Sequence, residues 1–143
     1  MTIRFVILGM IFLGMQSCQS DVASYPLIKQ VKLCSQLVEG LCQEEPPIFS
    51  SATQTFYISC ILEKVHDEAE VSFFWYFYEK NKKKKLLEKV VLRPRELSPQ
   101  KSSKYVLVAD LNRSGGRWPS GKYEVEVILS GTYAFTIIKT FEI

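Results

Sequence analysis

Gly116-Arg117-Trp118-Pro119-Ser120-Gly121-Lys122-Tyr123-Glu124-Val125-Glu126-Val127-Ile128-Leu129-Ser130-Gly131 is the stretch that decides the fold. A loop rich in Gly and Pro feeds a segment in which Tyr123, Val125, Val127 and Leu129 share one side. Lys122, Glu124 and Glu126 share the other. A period of two with one apolar side is the pattern of a half-buried antiparallel strand. Gly131 opens a turn, and 132–143 reads as a second strand, with Tyr133, Phe135, Ile137, Phe141 and Ile143 on one face and Lys139 interrupting it.

Working back from that pair, the same alternation recurs. From about Thr53, Phe56, Ile58, Cys60 and Leu62 share a face, and His66-Asp67-Glu68 reads as a polar turn. In 69–78, Val71, Phe73, Trp75 and Phe77 lie on one side, with Phe74, Tyr76 and Tyr78 on the other. A strand apolar on both sides belongs in the middle of a sheet or beneath a loop. Glu79 to Lys85 reads as a solvated turn, and Leu86, Val90 and Leu92 share the next face. Pro94 and Pro99 bracket a loop, since proline cannot sit inside a central ladder. Tyr105, Leu107, Ala109 and Leu111 mark a further strand. No segment carries helix caps with a sustained 3.6-residue period. Six or seven strands separated by turn signals predict an all-β, antiparallel sandwich.

The chain of 143 residues suits one domain. An apolar content of 47%, with nine Phe and seven Tyr, argues against general disorder. The net charge of +3 falls to +2 once Arg4 is removed with a leader, and so small an excess gives no argument for nucleic acid. Residues 1–4 are short and basic and 5–15 apolar, too short a run to span a bilayer comfortably but suited to a cleaved signal segment over 1–17. Residues 18–31 read as a tether, and 32–143 as the folded domain.

Export places the cysteines in an oxidising compartment. Cys34 and Cys42 flank a short loop that a disulfide would close; the alternatives are two unpaired thiols or a pairing that includes Cys60. No metal site is expected, because His66 is the sole histidine and no second thiol lies near it. No cofactor motif is present: Gly115-Gly116 lacks the strand–loop–helix setting of a phosphate site. No catalytic residue is expected either. Ser59 and Cys60 sit in mid-strand, away from any nucleophile turn, and His66-Asp67-Glu68 reads as a surface turn.

Two clusters are candidate contact sites. Lys80, Lys82, Lys83, Lys84 and Lys85 form a cationic hairpin tip able to meet anionic headgroups, acidic glycans or an acidic protein, or simply to discourage edge pairing. Arg117 and Trp118 form a loop pair of the types enriched at interface centres, with packing as the alternative role of Trp118.

Gln16-Ser17-Cys18 resembles the processing box of bacterial lipoproteins. The Cys34…Cys42 pair, Phe56-Tyr57-Ile58, Phe74-Trp75-Tyr76, and Trp118-Pro119-Ser120-Gly121-Lys122-Tyr123-Glu124-Val125 followed by Gly131 and Phe141-Glu142-Ile143 extend the likeness. Together they resemble small bacterial cell-envelope lipoproteins with an immunoglobulin-like or fibronectin-like β-sandwich body, over roughly 34–143. The resemblance implies that Cys18 becomes the first residue and carries acyl chains, palmitate among them. It also implies anchoring in the envelope, at the outer membrane, through that lipid. The expected function is a non-enzymatic structural or protein-interaction module with an envelope or extracellular protein partner. The alternative is a surface adhesin or ligand-binding protein using the lysine tip and the Trp118 loop.

Overall fold

The computed structural model describes residues 26–46, 48–65, 68–80, 83–97, 104–131 and 134–143. The leader, Cys18, His66, Asp67, Lys82 and Tyr133 lie outside the described residues. Seven strands are present among the described residues: β1 (Leu27–Cys34), β2 (Thr55–Glu63), β3 (Glu70–Tyr78), β4 (Lys84–Leu92), β5 (Lys104–Asn112), β6 (Lys122–Ser130) and β7 (Phe135–Glu142). Every strand pair is antiparallel. One sheet has the order β1-β2-β5 and the other β4-β3-β6-β7, and the two pack face to face as a β-sandwich.

The core is built from the apolar sides read by period two. Phe56, Ile58, Cys60 and Leu62 from β2 meet Val71, Phe73 and Trp75 from β3, all with no measurable exposure. Burial of each such side chain contributes about 1.5–3 kcal/mol. β3 is central, hydrogen-bonded to both β4 and β6. Tyr123 opens the buried side of β6, and its hydroxyl donates to Pro119 O over 2.7 Å. Gly121 has φ +145°, and a Cβ there would sit 3.2 Å from the Phe77 ring, so glycine meets both a backbone and a packing requirement.

Three readings change. β1 begins at Leu27, inside the stretch read as a tether. A bulge between Lys29 and Lys32, with Gln30 at φ 51°, makes Ile28 and Val31 both pack on the core. The inserted residue breaks the period-two pattern, so the alternation is lost to the eye. A second bulge, in β4 opposite Trp75/Tyr76, reverses the parity of that strand. Val90 and Leu92 face the core as expected, but Leu87 joins them, and Leu86 is 49% exposed on the outer face. Finally, Pro94–Leu97 forms one helical turn, α1, where a loop was expected. Pro94 starts it with a preset φ, and Glu96 N donates to Arg93 O.

The loop between β1 and β2 is anchored to the smaller sheet. Cys34 and Cys42 are joined, with Cα atoms 5.4 Å apart, and Cys42 N donates to Ser59 Oγ on the outer side of β2. Farther on, Phe49 N donates to Glu142 O, so the loop also straps the end of β7.

Candidate functional site

The lysine cluster does not act as one tip. The turn between β3 and β4 is closed by Glu79 N donating to Lys83 O, and Lys80, Lys83 and Lys85 are exposed there. Lys84, expected in the same solvated turn, instead begins β4 and is drawn over the outer face of the four-stranded sheet. Its ammonium pairs with the carboxylates of Glu124 and Glu126 and lies 4.0 Å from the centre of the Tyr76 ring. It is a structural cation.

Trp118 is likewise no surface anchor. It is 7% exposed and belongs to the core. Its backbone N donates to Ser51 O, its indole Nε1 donates to Thr53 O at 2.7 Å, and its ring lies 5.2 Å from that of Phe56. The Arg113 guanidinium sits 5.6 Å from the indole. Trp118 thus closes the end of the sandwich, because the loop that carries it is pinned to residues 51–54. Arg117, next to it, remains exposed. A depression of about 290 Å³ lies between this loop and the lysine hairpin, floored by Phe77, Leu87 and Tyr123, with Lys85, Glu79 and Arg113 among its lining residues.

The outer face of the larger sheet combines the aromatic row read from the sequence with a buried carboxylate that the pattern missed. Phe74, Tyr76 and Tyr78 form a row along β3, and the rings of Phe74 and Tyr76 are nearly parallel at 6.4 Å. Lys89 lies over Phe74 at 5.1 Å and Lys122 over Tyr78 at 4.7 Å. Glu124, on the side read as solvated, is only 5% exposed. Tyr78 donates to it at 2.9 Å, and Lys84 covers it. Burial by itself would raise the Glu124 pKa, but the hydrogen bonds from Lys84 and Tyr78 outweigh burial and hold the carboxyl below its usual range. Burial would likewise lower the Lys84 pKa, yet its contacts with Glu124 and Glu126 move it upward. Tyr78 is raised by its hydrogen bond to Glu124, and Tyr76 by burial and the nearby Glu126. All these shifts favour the charged pair with neutral phenols. The arrangement holds a surface in shape and offers no free base or nucleophile.

Cys60 is free, fully buried, and pushed up to about 12 by that burial, so its thiol is protonated and out of reach. Among the described residues, no group of three or more His, Cys, Asp or Glu could hold a metal ion. No helix among them is long and apolar enough to cross a membrane.

No protein-family model matches the chain, and no curated protein matches it. Among solved structures, an alkylpurine DNA glycosylase of Pseudomonas fluorescens bound to DNA containing an abasic-site analogue is similar over 82% of this chain, with 12% identity and a TM-score of 0.46. The chain spans 30% of that protein's length, and a likeness at this level carries no functional argument.

Proposed function

We propose that this chain is a lipid-anchored, non-enzymatic envelope protein, attached through Cys18, whose immunoglobulin-like body serves as a protein-interaction module. The observation that carries this reading is the polarity of the sandwich. Leu27 pairs with Glu63 at one end, whereas Lys80, Lys83, Lys85 and Arg117 lie at the other, where Arg113 N meets Gln54 O and Gly121 N meets Ile143 O. Strands of eight or nine residues separate the two ends by roughly 30 Å. Residues 18–26 extend to about the same length at most. A domain tethered through them carries its cationic end on the side opposite its attachment, where it is available to an acidic partner.

The finer fold reading draws support from two features. The division of the strands into β1-β2-β5 and β4-β3-β6-β7 supports a fibronectin-like arrangement. The bond from Tyr123 OH to Pro119 O, at the start of the sixth strand, has the form of a tyrosine corner. The adhesin alternative retains the lysines and Arg117 but loses Trp118 as its anchor.

Two measurements test the proposal. Intact mass of the protein from its native membranes should show a species beginning at Cys18 with acyl mass, absent from Cys18→Ala; an unlipidated product cleaved elsewhere removes the anchor. Binding of polyglutamate should be lost on Lys80→Glu, Lys85→Glu and Arg117→Glu combined. Equal binding by the charge-reversed form, with an unchanged melting temperature, overturns the cationic-end reading.

A further inference from the structure

The outer face of the four-stranded sheet is a feature that the proposed recognition end does not use. The loop between β1 and β2 covers the other sheet through Cys42 and Ser59, and it touches the larger sheet along the β7 margin, where Glu45 pairs with Lys139 and Phe49 N donates to Glu142 O. From the strand register, the outer side chains fall into rows. Lys89, Phe74, Glu126 and Ile138 form one, and Leu86, Tyr76, Glu124 and Thr140 the next. Lys84, Tyr78, Lys122 and Glu142 follow. Two apolar residues stand out on this face: Leu86, 49% exposed, on the β4 margin, and Ile138, 55% exposed, on the β7 margin.

We infer that this face packs against the same face of a second copy of the chain, about a two-fold axis running parallel to the strands between β3 and β6. Such an axis keeps each row at its own height and exchanges its two margins. β4 of one copy then lies over β7 of its partner, and β3 lies over β6. Three consequences of that operation fit the residues present. Lys84 comes opposite the exposed Glu142 of the other copy. Leu86 and Ile138, one row apart on opposite margins, become neighbours across the interface, and this happens twice by symmetry. The aromatic row of β3 lies over the Glu124/Glu126 column of the partner, which Lys84 bridges within each chain.

The size is adequate. Four strands about 4.8 Å apart and eight or nine residues long give a face of roughly 500 Å² in projection. Side-chain relief raises that toward the ~800 Å² per partner of a standard interface. A two-fold parallel to the strands also leaves both Leu27 ends on the same side of the pair. Where the anchor proposed above is present, both tethers then enter one membrane; the pairing itself does not rest on the anchor.

The test is sedimentation of the full chain, in detergent micelles, over about a hundredfold range of concentration. The expected result is a reversible dimer whose dissociation constant rises at least about tenfold in Ile138→Glu and in Leu86→Glu. Val106→Glu, at a 48%-exposed position on the other sheet, should leave it unchanged. All three positions are exposed, and melting curves establish that each variant folds. Mixing Leu86→Cys with Ile138→Cys chains should give a disulfide between copies. A monomer throughout the range, a dimer equally weakened by Val106→Glu, or a dimer indifferent to Leu86 and Ile138 overturns the inference. So does a monomer whose aromatic face binds a saccharide.

Discussion

The hydroxyl of Tyr123 donates to the carbonyl oxygen of Pro119, four residues earlier, over 2.7 Å. The bond ties the start of β6 to the loop that carries Trp118, and the Tyr123 ring stacks on Phe141 at 5.3 Å. Tyr123→Phe keeps the ring and leaves the Pro119 carbonyl without its donor. Thermal and urea unfolding should show a loss of about 1–2 kcal/mol. A variant as stable as the parent would show that water replaces the phenol at no cost.

Alkaline pH should destabilise the domain through two buried acids. Burial pushes both the Cys60 thiol, ordinarily 9.0, and the Tyr123 phenol, ordinarily 10.0, up to about 12. Both groups are held protonated in the folded chain and ionise more readily in the unfolded one. Their contribution is therefore complete below pH 9 and declines as pH rises toward 12, by about 1.4 kcal/mol per pH unit for each group once its unfolded form has ionised. Urea titrations from pH 8 to pH 11 should show the decline beginning near pH 9, and Cys60→Ala should delay its onset to about pH 10.

Removing the cation from the outer face should reverse a pH dependence. In the parent, Glu124 has a lowered pKa, so its contribution is present above about 4.5 and is lost as pH falls through the folded value. Lys84→Met leaves burial as the dominant influence on that carboxyl. The variant should lose ~2–3 kcal/mol at neutral pH, a value reduced for the partial exposure of Lys84. It should also gain relative stability as pH is lowered toward 4. Parallel acid titrations of the two proteins would contradict this.

The Cys34–Cys42 bridge closes a separation of eight residues. Replacing both cysteines by serine should lower stability by about 2–3 kcal/mol, mainly by freeing the unfolded chain. Because Cys42 N bonds Ser59 Oγ, amide exchange at Cys42 should also accelerate well beyond the global change. Exchange unaltered at that amide would mean that the loop holds its place without the bridge.

The alternation of β2, β3, β5, β6 and β7 was legible because burial on a pleated sheet is written directly into a period of two. Phe56 to Leu62 and Tyr123 to Leu129 are local patterns, and the central position of β3 followed from its two aromatic sides. β1 and the outward position of Leu86 were not legible. Each depends on a bulge, and one added residue reverses every later side chain without leaving a mark in composition.

The same division runs through the surface. The sequence by itself determined an all-β domain and an exposed Lys80, Lys85 and Arg117. Only the tertiary structure decided that Trp118 turns inward, since that depends on carbonyls of Ser51 and Thr53, more than 60 residues away. It alone decided that Lys84 is held by Glu124 and Glu126, about 40 residues farther along the chain. Side-chain alternation is a property of neighbours in the chain, whereas partners across a sheet are set by strand order. Strand order follows from packing the whole core at once.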